Sequence, residues 1–287
     1  MKLGPRWTPQ IARSEQLDAS IVRELEQVIG SGDAILFTGA GFSLGARDAA
    51  GELLPDSETM RRELYALLFN DEPPDDSTLP DLYDVALARA PDELERYLAR
   101  RLRIGQLGDL ERYVKWFALP WRRVYTLNVD DLESALARLA PAAPVLRSIS
   151  ATRAHDAGPS GDGLAVVHLN GDVRDGAATL TFSTLQYAAR LCGQDPAYRD
   201  LIDDLDRSPF VFVGTTLDEV VLWQHLELHR RRGGRRLRHR SYLIARTLSR
   251  ARHLLLEDLG LVWVPSTLEV VEAHLRDGLG RAQARRG

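Results

Sequence analysis

The stretch DAILFTGAGFSLG, residues 33–45, runs four apolar residues into Gly-Ala-Gly and then places a serine. A short apolar run flanked by Asp33 and glycine predicts a strand buried on both faces, as in a parallel sheet. Glycines directly after such a strand let the backbone approach a ligand where a side chain would collide. In doubly wound folds that ligand is usually a phosphate, held by backbone N–H groups. A Gly-x-Gly turn is also common as a plain tight turn, so the rest of the chain must decide.

Outward from this turn, strand and helix patterns alternate. Residues 15–29 carry apolar positions at helical spacing, with Gly30 and Gly32 ending the helix. The stretch 57–118 reads as helical, with Ser57 as a cap candidate and further helices near 81–89 and 91–103. RRVYTLNVDD predicts a strand ending at Asn128, followed by the helix DLESALARL. LAVVHLNGDV, PFVFVGTT, RSYLIART and LGLVWVP supply further strands. The alternation predicts an α/β, Rossmann-like parallel sheet with helices on both faces and a helical insertion. The sheet domain is assigned to 1–56 and 119–287, and the insertion to 57–118. Three strands end in small or polar clusters: Gly39-Ala40-Gly41, Asn128-Val129-Asp130 and Gly214-Thr215-Thr216. Open α/β sheets bind ligands outside the carboxyl ends of their strands, so these clusters mark a nucleotide pocket.

Composition removes several classes. With 44% hydrophobic residues, 27% charged residues and a net charge of −4, the 287-residue chain reads as an ordinary globular protein with no overall attraction to nucleic acid. Neither Lys2 nor Lys115 follows a phosphate-binding glycine loop, which excludes a Walker-type triphosphatase and disfavours a pyridoxal-phosphate enzyme. The single cysteine, Cys192, can build neither an intrachain disulfide nor a thiolate zinc cage; no metal is expected. No apolar run approaches a membrane span and MKLGPRWTPQ has no signal-peptide core, so a cytoplasmic protein is expected. A dehydrogenase would need an acidic residue at the end of a second strand about 20 residues after the glycines, where this chain has the helical DSETMRRELY.

The motifs together resemble the sirtuin-like family, and more closely its bacterial, zinc-less, NAD-consuming branch of defence type. The matching residues are GAGFS (39–43), LPWRRVYTLNVDDLESAL (119–136), VVHLNGDV (166–173) and FVGTTLDE (212–219), with TLQYA (184–188) similar to a tyrosine-bearing segment of the family. The resemblance implies NAD across the strand ends, as substrate. Gly39, Ala40, Gly41 and Ser43 would hold the pyrophosphate and nearby ribose. Asn128 and Asp130 match a Thr-x-Asn-x-Asp motif beside the nicotinamide ribose, and Gly214, Thr215 and Thr216 would face the adenosine ribose.

The chain departs from the family in two places. The four-cysteine zinc module of the protein deacylases cannot be built. The family's histidine stands immediately before a glycine, whereas here Asn170 precedes Gly171 and His168 lies two residues earlier. In a strand His168 would share a face with Asn170, about 6.5–7 Å away. His168 is the expected base, with a hydrogen-bonded core histidine as the alternative. Asn170 and Gly171 are assigned to the ligand.

The expected activity is NAD hydrolysis to nicotinamide and ADP-ribose, as the effector of a bacterial antiviral defence system. A non-catalytic NAD or ADP-ribose sensor is the alternative, with ADP-ribosyl transfer and deacylation further behind. The resemblance also implies a sensor or regulatory domain or partner and a homo-oligomer. RAQARRG follows soon after the last predicted helix, which leaves open a subunit with a separate partner or a fragment of a longer protein. The run HRRRGGRRLRHR, 229–240, is read as a solvated loop rather than a nucleic-acid site, because it lacks interleaved aromatics. Trp116, Phe117 and Trp121 are expected to be packing residues. His225 and His229 are expected to be a surface pair, and Cys192 an incidental thiol.

Overall fold

A computed structural model of the chain describes residues 17–70, 72–152, 162–192, 195–217, 219–231 and 237–275. Helix α1 (Ala19–Gly30) starts where the Asp18 side chain accepts from the Ser20 amide at 2.7 Å, and it buries Leu25 and Ile29. Strand β1 (Ile35–Thr38) follows and is buried at every position, as an interior parallel strand must be. Beyond it come β2 (Ala46–Asp48), α2 (Ser57–Phe69), α3 (Leu79–Arg89), α4 (Pro91–Arg101), β3 (Ile104–Leu107) and α5 (Leu110–Ala118). Then follow β4 (Arg123–Thr126), α6 (Leu132–Leu139), β5 (Leu146–Ser150), β6 (Leu164–His168), α7 (Thr184–Cys192) and α8 (Pro196–Arg207). The last elements with full bounds are β7 (Phe210–Val213), α9 (Val220–Arg231), β8 (Ser241–Ile244), α10 (Arg250–Leu259) and β9 (Leu261–Val264).

The strands form a seven-stranded parallel sheet in the order β5-β6-β4-β1-β7-β8-β9, flanked by helices, and this is the α/β fold expected from the sequence. The chain divides into two compact units, one of residues up to 37, 119–122 and 202 onward, the other of 38–118 and 123–201. In the first unit β7, β8 and β9 pair in parallel, and Phe37 packs on Phe212 with ring centroids 5.1 Å apart. Tyr242 donates to Glu24 at 2.9 Å, tying β8 to α1.

In the second unit β4, β6 and β5 pair in parallel, which puts Thr126, His168 and Ser150 in one row. Helices α2, α3 and α4 share a core of Met60, Leu64, Tyr83, Leu94 and Leu98 with Val129, Val173 and Leu180. The helical stretch 57–118 therefore packs directly on the loops that leave β4 and β6.

Three strands were not read from the sequence. Strands β2 and β3 make a small antiparallel pair, in which Gly105 lies so close to Ala49 that a Cβ would stand 2.6 Å from its Cα. Strand β5, LRSIS, is half-buried throughout and shows no clean alternation. Strand β4 ends at Thr126 rather than at Asn128, because the Asn128 amide turns back to the Thr126 hydroxyl at 3.0 Å. Among the described residues no helix is long and apolar enough to cross a membrane.

Candidate functional site at the strand ends

The glycine turn is a short 3-10 segment, Ala40–Ser43, entered from an extended Gly39 and closed by Phe42 N–H to Gly39 C=O at 2.8 Å. Its anchor is Phe42. Tyr113, Trp116 and Phe117 of α5 meet this ring edge-on at centroid distances of 5.6, 6.3 and 5.8 Å, and the Tyr113 hydroxyl donates to the Phe42 carbonyl at 3.1 Å. Trp116 and Phe117 are thus packing residues. With Phe42 held in this aromatic cluster, the adjoining Ser43 is also buried.

Asn128 donates from Nδ2 to Ser43 Oγ at 2.9 Å, and the Ser43 hydroxyl is bonded to the Asp130 carboxyl. Three predicted site residues from two strand ends therefore meet in one hydrogen-bonded line. Asp130 is buried and accepts from the Leu132 amide at 3.3 Å. Burial first, and the nearby Glu133 second, push its carboxyl up to about 7. Its neighbour Asp131 accepts from the Ile104 amide at 2.7 Å, fixing the start of α6 to β3.

His168 has no exposed surface. Its Nδ1 lies 2.9 Å from the Asn128 carbonyl oxygen and its Nε2 3.0 Å from Glu133 Oε2. A carbonyl can only accept, so Nδ1 carries a proton. Burial opposes a charged ring, but the Glu133 carboxylate outweighs it, helped by Asp172 and Asp130, and raises the imidazole to about 9. The expectation that His168 acts as a base meets this geometry: both ring nitrogens are already engaged by protein.

Strand β6 stops at His168, and Asn170 lies in the turn that follows rather than on the strand face. Asn170 Nδ2 donates to the Leu127 carbonyl at 3.1 Å, while its buried Oδ1 has no partner among the described residues. Gly171 has φ +90, and a Cβ there would stand 2.8 Å from the Thr179 carbonyl oxygen and 2.9 Å from Thr152 Oγ1. Only glycine closes this turn without strain.

The sequence reading missed Glu133 and Asp172. Asp172 accepts from Ser148 Oγ at 2.9 Å and pairs with Arg174. Burial pushes against its charge, but the Arg174 guanidinium and the His168 ring hold its carboxyl below the usual range. A signal for Glu133 was present: it sits among Leu132, Ala135 and Leu136 on the buried side of α6, where an unpaired acid would not be tolerated.

The third cluster belongs to the first unit. Gly214 adopts φ +65, and the Thr215 hydroxyl donates to Glu219 Oε1 at 3.0 Å and accepts from the Leu217 amide at 2.9 Å. Thr216 is exposed. Residues 232–236 of the arginine-rich run lie outside the described residues, as do the side chains of Cys192 and His229. Among the described residues no group of three or more His, Cys, Asp or Glu is placed to hold a metal.

Glycine, asparagine and buried carboxyl groups thus lie at the carboxyl ends of the strands, where open α/β sheets bind their ligands. Residues 122–264 match the family model described as SIR2-like domain, which supports a sirtuin-like family and an NAD-related function. The matched segment contains Asn128, Asp130, His168, Asn170 and Gly171, and it begins well after the 39–43 turn. No curated protein matches the chain.

Proposed function

We propose that the chain hydrolyses NAD to nicotinamide and ADP-ribose at the end of β4. The observation that carries this reading is the 2.9 Å hydrogen bond from Asn128 to Ser43. It joins the glycine turn, which precedes the matched segment, to the Thr-x-Asn-x-Asp motif inside it. An acceptor also fits an amide-bearing ligand: Asn170 Oδ1 is buried, has no partner among the described residues and suits an N–H donor.

Nicotinamide leaves as a neutral molecule with the electron pair of its ribose bond, and positive charge develops on the ribose carbon, as in glycoside hydrolysis. Asn128 supplies both donor and acceptor atoms to orient a ribose hydroxyl and a water. The water oxygen bonds to that carbon and its proton passes to Ser43 Oγ as Ser43 gives its own proton to Asp130. A carboxyl raised to about 7 is matched to that task near neutral pH. The resemblance adds Gly39, Ala40 and Gly41 as pyrophosphate contacts and Gly214, Thr215 and Thr216 as adenosine ribose contacts. It also adds a role as effector in antiviral defence, restrained by a partner or regulatory domain and assembled as a homo-oligomer.

The test is release of nicotinamide and ADP-ribose from NAD by the wild type and by Asn128→Ala. Turnover by the wild type that is lost in the variant is expected. Tight NAD binding with no nicotinamide released would replace the hydrolase with an NAD-binding sensor.

A further inference from the structure

Glu133 and His168 are buried beside the proposed reaction without a place in its proton path. What they hold is the backbone of Asn128. The Asn128 amide is bound by the Thr126 hydroxyl at 3.0 Å, and its carbonyl by His168 Nδ1 at 2.9 Å. On either side, Leu127 N–H donates to the Thr38 carbonyl at 3.0 Å, and the Val129 carbonyl accepts from Val173 N–H at 2.7 Å. The backbone of Asn128, whose side chain reaches Ser43, is thus held at both its N–H and its C=O, and the imidazole is one jaw. The ring in turn is held by Glu133 Oε2 at 3.0 Å, carried on the first turn of α6.

We infer that Glu133 is a positioning residue for Asn128, acting through the His168 ring, and that His168 clamps the Asn128 carbonyl rather than taking a proton from the substrate.

The charges around the ring agree. It is faced by Glu133 from α6, by Asp130 from the loop after β4, and by Asp172, paired with Arg174, from the turn after β6. A buried carboxylate is costly without a cation in contact, and the His168 ring is 3.0 Å from Glu133 Oε2. A ring held doubly protonated has no lone pair for a water.

The activity arm of the test rests on the hydrolase reading, and a second arm does not. In the first arm, His168→Asn keeps an N–H near the Nδ1 position and cannot act as a base, whereas His168→Ala keeps neither. Glu133→Gln keeps a hydrogen bond to the ring, whereas Glu133→Ala removes it. Loosening a positioned group can cost about a hundredfold in rate, so both alanine variants should lose about that much of kcat. The two conservative variants should keep more than about a tenth of it, with KM for NAD little changed throughout. Equal loss in His168→Asn and His168→Ala would overturn the clamp. In the second arm, nitrogen-15 NMR of labelled histidine at pH 7.5, without NAD, should show His168 doubly protonated in the wild type and as the neutral Nδ1–H form in Glu133→Gln. A wild-type His168 ring with no proton on Nδ1 could not hold the Asn128 carbonyl and would overturn the inference even if no variant turns NAD over.

Discussion

Around Arg101 one guanidinium meets Asp48 at 2.5 Å and Glu63 at 3.0 Å and donates to the Leu53 carbonyl, while the Tyr97 hydroxyl donates to Glu63. Around His168 one imidazole meets Glu133 and stands close to Asp130 and Asp172. Both clusters lie in the second unit, yet Asp48 in the one and Asp130 in the other behave in opposite ways. Burial works against charge on Asp48, but Arg101 and the amides of Glu52 and Ala50 outweigh it and hold the carboxyl below the usual range. Burial and Glu133 push Asp130 up, and the Ser43 hydroxyl and the shared imidazole do not offset them. The first arrangement ties the loop after the glycine turn to α4. The second leaves a carboxyl close to its protonation point at neutral pH, which is a property of reacting groups rather than of staples.

The largest expected effect separates the two clusters by activity. Asn128→Ala should lower kcat by about 10²–10⁴-fold, with little change in melting temperature, because Asn128 is only half-buried and touches neither acid cluster's cation except through its backbone. Loss of folding instead would make Asn128 part of a staple.

Next comes a contrast in the sign of stability. Asp48→Asn removes one side of a buried ion pair and should cost about 3 kcal/mol, read by denaturant unfolding at pH 8. Asp130→Asn at the same pH replaces a poorly compensated buried charge with a neutral amide and should leave stability unchanged or raise it by roughly 1 kcal/mol. Two losses of similar size would erase the distinction.

The pH dependence sharpens the same point. The folded Asp130 carboxyl titrates near 7 against an ordinary value of 3.8, so it is neutral in acid, and ionising it costs the folded state stability as pH rises through 7. Turnover that uses its carboxylate should therefore climb between about pH 6 and 8. Asp130→Asn should flatten that limb along with most of the rate. His168 is raised from 6.5 to about 9, so the stability from its pair with Glu133 is fully present below 6.5 and is lost as pH rises through about 9. Melting temperature should fall across that window in the wild type and fall less in His168→Asn.

The smallest effect is at the edge of the Arg101 cluster. Glu63→Gln keeps bonds to Arg101 and Tyr97 at a position one-third exposed, so about 0.5–1 kcal/mol is expected, with unchanged kcat. A change in kcat there would mean that the staple reaches the site.

Much of the sheet was legible because its interior strands are short apolar runs that end in glycine or asparagine, as in AILFTGAG and VYTLNVD. Strand β5 was not legible, since an edge strand half-exposed at every position carries no burial pattern. Strands β2 and β3 were hidden inside a helical stretch, because three- and four-residue strands fall below any periodicity. At the site, motif and spacing singled out Ser43, Asn128 and Asp130, which the structure brings into one hydrogen-bonded line, but they did not show the partners of the His168 ring. Alternation along a strand says which face a side chain takes, and not whether a partner from another element already occupies it.

The sequence by itself determined the α/β class and the glycine turn after β1. Those follow from local propensity and from the residues present. Only the tertiary structure decided that Ser43 bridges Asn128 and Asp130, that Glu133 takes both the ring of His168 and a share in the state of Asp130, and that Asn170 sits in a turn with a bare acceptor. Hydrogen bonds between residues 85 and 35 positions apart, and the loss of water around them, exist only once the strands are side by side.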